Sequence, residues 1–442
     1  MNPQFLDQMK SLLSSEYPDF IKSLEEPCVK GFYTNPLKKD VLDHLPMEYI
    51  IKHPYISNGY YYDYTRYAMG KSPYFNCGLY YIQEPSAMVV SHLLPIQEDD
   101  YILDMCSAPG GKACHVATQL SSQGLLVAND INRLRAKILS QNIERFGISN
   151  AIVTNIDPTA LPDTFPAYFD KIYLDAPCSG EGMFRKLERA KDDWSMNKVD
   201  ACVHIQRNLI KSAYQMLKQG GYLIYSTCTY NTKENEDTVR YALQEFGMKL
   251  LFLPKQKGME PGINMPEAIR LYPHKNRGEG QFIAVLIKES CENVKHKIPV
   301  LKSNVTGEQH KLVTSFYQQY LNLPIPSYLY QSQNHIYAIE RHFPHLPNIP
   351  ILRTGLHLGQ CKKGRFEPSL SLALTLQQKD VKNYYTFKES DPEIVNYLKG
   401  LTLRGTKEKG YGVIFADTYP LSFYKESNGQ IKNLYPKGLR NN

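Results

Sequence analysis

No apolar run in this 442-residue chain reaches the roughly 18 residues that a membrane helix needs, and mean hydropathy is −0.42. The N-terminus, MNPQFLDQMKSLLSSEYPDF, lacks a signal-peptide core because charges interrupt its apolar residues. A cytoplasmic protein is expected, with no membrane partner. Cysteine is present without pattern. The nine cysteines are odd in number and form no CxxC pair, so neither a disulfide framework nor a zinc site is expected, and no metal. A strong charge of one sign is also missing. Lys and Arg number 51 against 44 Asp and Glu, a net +7 that suits nucleic acid without requiring it. Tryptophan occurs once, against 33 tyrosines. Many of these tyrosines crowd YISNGYYYDYTRYAMGKSPY (55–74), where aromatics interleaved with Arg66 and Lys71 could stack bases or simply pack on a core.

What is there is organisation. The length suggests about three domains. From residue 100 to 290 short apolar runs alternate with helical patterns. YILDMC (101–106) predicts a strand, SAPGGK a glycine-rich turn and HVATQLSS a helix, and GLLVAND (124–130) predicts a second strand. The next helix is expected to carry Ile131, Leu134, Ile138 and Leu139 on one face and to stop at Gly147. AIVTN (151–155) and KIYLDAPC (171–178) predict further strands. IQRNLIKSAYQMLKQGG places Ile205, Leu209, Ala213, Met216 and Leu217 at helical spacing before a stop at Gly220-Gly221, and YLIYSTC is the fifth strand. This alternation predicts an α/β fold with a parallel, Rossmann-like sheet covered on both faces. Residues 1–95 read as an α+β subdomain, 96–290 as the core, 291–390 as a less regular connecting region and 391–442 as a small β module that could begin earlier. LRTGLHLGQCKKGRFEPS (352–369) is rich in glycine and basic residues. The tail from Tyr397 holds eight Lys or Arg (399, 404, 407, 409, 425, 432, 437, 440) against three acids, a net +5 that points to nucleic acid.

LDMCSAPGGK is not the GxGxxG of dinucleotide enzymes, yet it sets a glycine pair between a strand and a helix, where backbone can approach a ligand closely. Cys106, Ser107, Ala108, Pro109, Gly110, Gly111 and Lys112 are therefore candidate cofactor contacts. Asp130 ends the second strand about twenty residues on, where an acid can hold a ribose diol. Asp157 follows the third strand, where an adenine amino group could be read, although an acid there is often a helix cap. The set describes a nucleoside site without a Walker lysine-serine pair, so S-adenosylmethionine fits better than ATP or NAD.

Two cysteines, Cys178 in LDAPCSGEG and Cys228 in YSTCTY, follow the ends of two similar strands. Together with YTNPLK, GLYYIQEPSAM, LDMCSAPGGK and IRLYPHKNRGEGQFIA (269–284), these segments resemble the Sun-type RNA cytosine-5 methyltransferases. Within them the chain is similar to the bacterial ribosomal RNA small subunit methyltransferase F-like group, whose C-terminal PUA-like module GQIKNLYPKGLR resembles. The resemblance implies a class I methyltransferase core that transfers methyl from S-adenosylmethionine to carbon 5 of cytosine. The expected partner is 16S ribosomal RNA or the small ribosomal subunit near the decoding region, and the enzyme is expected to be a monomer. Adding a thiolate to ring carbon 6 turns carbon 5 into a nucleophile, which is why cysteine suits this chemistry. By the family's order Cys228 attacks and Cys178 assists proton removal and release, the reverse of the DNA enzymes. Asp175, if it carries a proton, would activate the base at nitrogen 3 and also belongs with the cofactor contacts, while Lys112 supports with its charge. The alternatives are a transfer-RNA cytosine-5 methyltransferase and a non-catalytic RNA-binding ribosome assembly factor.

Overall fold

Five apolar segments form the centre of the computed structural model, which describes residues 1–289, 298–406 and 409–440. These strands are β1 (Tyr101–Asp104), β2 (Leu125–Asn129), β3 (Ala151–Thr154), β4 (Phe169–Asp175) and β5 (Leu217–Thr227). They pair in parallel in the order β5-β4-β1-β2-β3. Helices α1 (Gly111–Ala117), α2 (Arg133–Arg145), α3 (Met196–Met216) and α4 (Glu236–Phe246) follow β1, β2, β4 and β5. Successive residues of β1 feed different cores, Leu103 on one face and Ile102 on the other. A strand buried on both faces has to be apolar throughout, which is why these segments read as continuous apolar runs. The chain leaves β1 toward β2 but leaves β4 toward β5, in the opposite direction. The crevice between their carboxyl ends is where open α/β sheets bind ligands.

Antiparallel strands extend both edges. β6 (Met259–Gly262), β7 (Met265–Leu271) and β8 (Gln281–Ile287) continue past β5, and Lys249–Leu250 also pairs with β8. At the far edge β9 (Ile351–Thr354) pairs with β3. Part of the glycine-rich, basic segment expected to be irregular therefore completes the central sheet. The rest of it belongs to a four-stranded antiparallel sheet built from Leu329–Ser332, His335–Ala338, Leu356–Lys362 and Arg365–Pro368. The expected junction of core and connecting region, at 290–291, lies outside the described residues, as do Lys407 and Glu408 of the basic tail.

Two helical expectations need correction. On α2 the buried residues are Ala136, Leu139 and Ile143, whereas Ile131, Leu134 and Ile138 are 62%, 71% and 47% exposed. The helix turns the small Ala136 and the aliphatic pair Leu139 and Ile143 toward the sheet, so the apolar face read from the sequence is off by about one residue. Gly147 does follow the helix with φ of 73°, a left-handed stop that glycine adopts without strain. The second correction concerns α3, which begins at Met196, capped by the Ser195 hydroxyl, and ends at Met216. Leu217 and the glycine pair already belong to β5, because pairing with β4 claims them. No helix among the described residues is long and apolar enough to cross a membrane.

The N-terminal region packs helices Pro3–Leu13 and Tyr17–Glu25 beside a four-stranded antiparallel sheet, and that sheet orders Ile50–Lys52, Gly59–Tyr62, Lys30–Thr34 and Tyr80–Gln83. Its tyrosines mostly face inward. Tyr60 stacks on Phe32, Tyr61 stacks on His53, and Tyr74 is buried, which leaves Tyr64 as the exposed ring among these four. Asn35 of YTNPLK is buried and donates to the carbonyls of Gly78 and Phe146, tying this sheet to the end of α2. The final module is a five-stranded sheet of Tyr384–Phe387, Gly410–Ala416, Tyr419–Ser427, Gln430–Asn433 and Leu403–Arg404. It shares one hydrophobic core with the N-terminal sheet, where Phe32, Leu79 and Tyr80 meet Tyr397, Ile414 and Leu421. Polar contacts reinforce the join: the Tyr74 hydroxyl donates to Asp417, and Tyr435 donates to Asn76.

Candidate active site

Strand pairing brings the two cysteines together. Asp175 of β4 lies opposite Ser226 of β5, and the two chains stay in step beyond the strands. The Ala176 amide donates to the Ser226 carbonyl at 2.8 Å, Ser179 and Thr229 share a hydroxyl contact of 2.8 Å, and the Gly182 amide donates to the Cys228 carbonyl at 2.7 Å. A side chain at Gly182 would put its β-carbon 2.6 Å from that carbonyl oxygen, so only glycine lets the two segments approach this closely. The outcome is a 3.2 Å separation between the Cys178 and Cys228 sulfurs, both half-buried. The hydrogen bond with Cys228, and then burial, pushes the Cys178 thiol well above its ordinary value.

Asp175 sits beside this pair. One of its oxygens accepts from Lys112 Nζ at 2.7 Å, and the other accepts from the Ser226 hydroxyl and from Gln281 Nε2, at 2.7 and 3.1 Å. Three donors therefore surround this carboxyl, and both of its oxygens accept. Lys112 is buried at the start of α1. Burial pulls its pKa down, but the charge of Asp175 and the hydrogen bond to it outweigh that, and Asp104 and Cys228 add to the upward shift. The lysine is therefore a fixed positive charge that Cys228 can feel.

The glycine turn lies under α1. Gly110 has φ of 110°, and a β-carbon there would meet Leu139 at 2.8 Å, while one at Gly111 would meet Gln83 at 2.7 Å. These glycines are required by the backbone and by the packing of α2 and the N-terminal sheet, rather than by a ligand alone. Cys106 and Ser107 line the turn, and burial pushes the Cys106 thiol up. The Ser107 amide donates to Asn129, whose side chain in turn donates to the Met105 and Ile156 carbonyls. That asparagine, unmarked by any motif, locks three strand ends together. Asp130 is buried and accepts from the Ala108 and Asn132 amides, and the Arg135 guanidinium reaches the Ala108 carbonyl. Pro109 stays exposed, its carbonyl accepting from Asn142. Asp157 is exposed and caps the short turn Pro158–Ala160 by accepting from Thr159, so the capping role is the one seen.

Family models match successive parts of the chain. They are described as 16S rRNA methyltransferase RsmB/F over residues 91–287, the N-terminal domain of 16S rRNA methyltransferase RsmF over 1–85, the RsmF rRNA methyltransferase first C-terminal domain over 315–376, and the methyltransferase RsmF PUA domain over 380–441. Ribosomal RNA small subunit methyltransferase F of Vibrio vulnificus is 30% identical over 86% of this chain and 84% of its own length. The chain belongs to the 16S rRNA methyltransferase RsmB/F family. The protein of the same name from Photobacterium profundum is 29% identical over 99% of this chain and 98% of its own. The crystal structure of NSun6 from Pyrococcus horikoshii with SFG aligns at a TM-score of 0.59 and 26% identity, over 66% of this chain and 99% of that one. As a member of the RsmB/F family, the chain is an S-adenosylmethionine-dependent ribosomal RNA cytosine-5 methyltransferase with a PUA domain.

Two carboxyls of this RsmB/F site escaped the sequence reading. Asp104, at the end of β1, is 2% exposed, and neither of its oxygens has a hydrogen-bond partner among the described residues. Burial pushes it up to about 7. A cationic ammonium, such as the amino group of S-adenosylmethionine, would satisfy it, so the residues present fit that cofactor. The aspartate within LDMC, just before the glycine turn, is the available signal in the sequence. Glu234, six residues beyond Cys228, is fully buried behind Cys178, and burial pushes it too up to about 7. Nothing in its local pattern marks it, because its partners come from elsewhere in the chain.

Proposed function

We propose that this chain methylates carbon 5 of a 16S ribosomal RNA cytosine near the decoding region, with Cys228 as the nucleophile and Cys178 as the residue that resolves the adduct. The observation that carries this reading is the asymmetry of the sulfur pair. The hydrogen bond with Cys228, and then burial, hold the Cys178 thiol up, which disfavours Cys178 as the attacking thiolate and supports Cys228 in that role. Lys112 supplies the positive charge that favours that thiolate. S-adenosylmethionine, when bound, supplies the methyl group in activated sulfonium form. We assign its contacts to Asp104, Cys106, Ser107, Ala108, Pro109, Gly110, Gly111, Lys112, Asp130 and Asp175, with Asp157 at the rim.

Cys228 would form a bond to carbon 6, and the ring electrons displaced toward carbon 5 would take the methyl group as its bond to the sulfonium sulfur breaks, with S-adenosylhomocysteine as the leaving group. Asp175, an acceptor 35% exposed, suits the exocyclic amine of cytosine. The carbon 5 proton then leaves to Cys178 in its thiolate form, the ring double bond re-forms and the Cys228 thiolate is expelled. A paired cytosine has to be splayed from its stack to reach these groups. For the rest of the RNA we propose a groove of about 650 Å³ between the two C-terminal sheets, lined by Lys362, Arg365, Lys425 and Lys432 among others. A monomeric, cytoplasmic enzyme acting on the small subunit completes the reading.

Methyl incorporation into purified small subunits, run beside denaturing gels, tests it. Cys228→Ala is expected to be inactive and to give no RNA adduct. Cys178→Ala is expected to transfer methyl and then stall, leaving a protein–RNA band that survives denaturation. A band from Cys228→Ala instead would exchange the two roles. Full activity in both variants would overturn the covalent mechanism.

A further inference from the structure

Three consecutive residues at the start of α4 reach three different parts of the site. Glu234 is fully buried, and one of its oxygens accepts from the Ser179 amide at 2.9 Å and from Gln206 Nε2 at 2.9 Å. The same Gln206 nitrogen donates to the Pro177 carbonyl at 3.0 Å. Cys178 is thus gripped through both of its chain neighbours. Asn235, also fully buried, does the same for Cys228. Its side-chain oxygen accepts from the Thr227 hydroxyl at 2.6 Å, and its nitrogen donates to the Thr229 carbonyl at 3.0 Å. Glu236 anchors the base of this device. It makes a two-pronged ion pair with Arg270 of β7 at 2.7 and 2.6 Å, and Arg270 also holds the Tyr230 carbonyl.

We propose that Glu234 and Asn235 are positioning residues that set the Cys178–Cys228 geometry, Glu234 governing the release of the adduct and Asn235 its formation. This rests on the functional reading above. Glu234 holds Ser179 directly and Pro177 through Gln206, Asn235 holds both Thr227 and Thr229, and their adjacency in sequence makes the two grips one unit. The anchor explains why the unit can act at a distance from solvent. A buried two-pronged Arg–Glu pair has one geometry, so the start of α4 cannot drift relative to β7. The second oxygen of Glu234 has no partner among the described residues. When ionised, Glu234 also disfavours ionisation of Cys178.

The test compares full-length Glu234→Gln, Asn235→Ala and Gln206→Met with the two cysteine variants, using small subunits and S-adenosylmethionine. The readouts are turnover and the fraction of protein in the denaturation-resistant RNA band, with S-adenosylhomocysteine titration and thermal unfolding as folding checks. Glu234→Gln is expected to slow turnover at least tenfold while raising the adduct fraction at least fivefold. Gln206→Met removes the same grip from the α3 side and is expected to move both readouts the same way, which keeps the proposal testable should Glu234→Gln not fold. Asn235→Ala is expected to lower kcat at least tenfold with the adduct fraction at or below wild type, and with unchanged KM for the cofactor. Wild-type turnover and adduct in the Glu234 and Gln206 variants would overturn the proposal. So would a loss of activity in Asn235→Ala that tracks a loss of cofactor binding. If Cys178→Ala and Cys228→Ala themselves fail to differ, the covalent reading falls; if they differ and the positioning variants do not, the failure belongs to this inference alone.

Discussion

An unpartnered carboxyl in a protein interior is tolerated chiefly as the neutral acid. Asp104 meets that description, and the sign of its effect on stability follows from its upward shift. A carboxyl raised from 3.8 to about 7 favours the folded state most fully below pH 4, and that contribution fades as pH climbs to about 7. Asp104→Asn, which never ionises, should therefore gain on the wild type between pH 5 and pH 8. Denaturant midpoints of the cofactor-free proteins should show a gain on the order of 2–4 kcal/mol. A difference that stays flat across this range would mean that Asp104 is already ionised and solvated. Cofactor binding should move oppositely. If Asp104 holds the ammonium, wild-type affinity falls as pH drops below about 7, and Asp104→Asn loses both affinity and that dependence.

At the scale of elements, α2 illustrates how a helix is oriented by what it packs against. Leu134, Ala136, Ile138 and Leu139 spread over more than one side of the N-terminal half, so spacing alone admits more than one face. The sheet selects Ala136, Leu139 and Ile143, all fully buried, and leaves Leu134 and Ile138 in solvent. Leu139→Ala is expected to cost about 2–5 kcal/mol, whereas Leu134→Ser and Ile138→Ser should each stay within roughly 0.5 kcal/mol of wild type. Chemical denaturation of the three variants checks this directly. A large loss at Leu134 would mean that the helix is rotated from the orientation described. Gly110 belongs to the same element pair, since its β-carbon would strike Leu139, so the glycine turn and the face of α2 constrain each other.

For the whole molecule, the decisive feature is the core shared by the first and last modules. Truncation at Tyr397, a fully buried residue, would open the N-terminal sheet as well, so it cannot isolate RNA binding. Charge substitution on the surface can. Lys425 and Lys432 lie opposite each other on adjacent antiparallel strands, an arrangement that costs stability unless an anion offsets it. In their groove Glu367 is already engaged by Lys362 and Arg365. The double variant Lys425→Glu, Lys432→Glu should weaken binding to small subunits and reduce the slope of log affinity against log salt by roughly 2, with cofactor affinity unchanged. An unaltered slope would place the RNA elsewhere.

The sequence by itself determined the alternating core, because strands buried on both faces must be continuously apolar and each ends in a recognisable turn. It also marked candidate chemistry-bearing residues that stand in distinctive local contexts: LDMCSAPGGK, DAPCSG and STC each announce themselves within a few positions. Only the tertiary structure decided what those residues do to one another. The 3.2 Å sulfur contact depends on β4 and β5 being neighbours in register, although Cys178 and Cys228 lie 50 residues apart. Asp175 becomes an acceptor because Lys112, Ser226 and Gln281, from three distant segments, converge on it. The strand Ile351–Thr354 reads as irregular, glycine-flanked chain until β3 offers it an edge to pair with. Local pattern records the side chain a residue carries and the backbone it prefers; its partner, and hence its role, is set by contacts whose loop closures span tens to hundreds of residues.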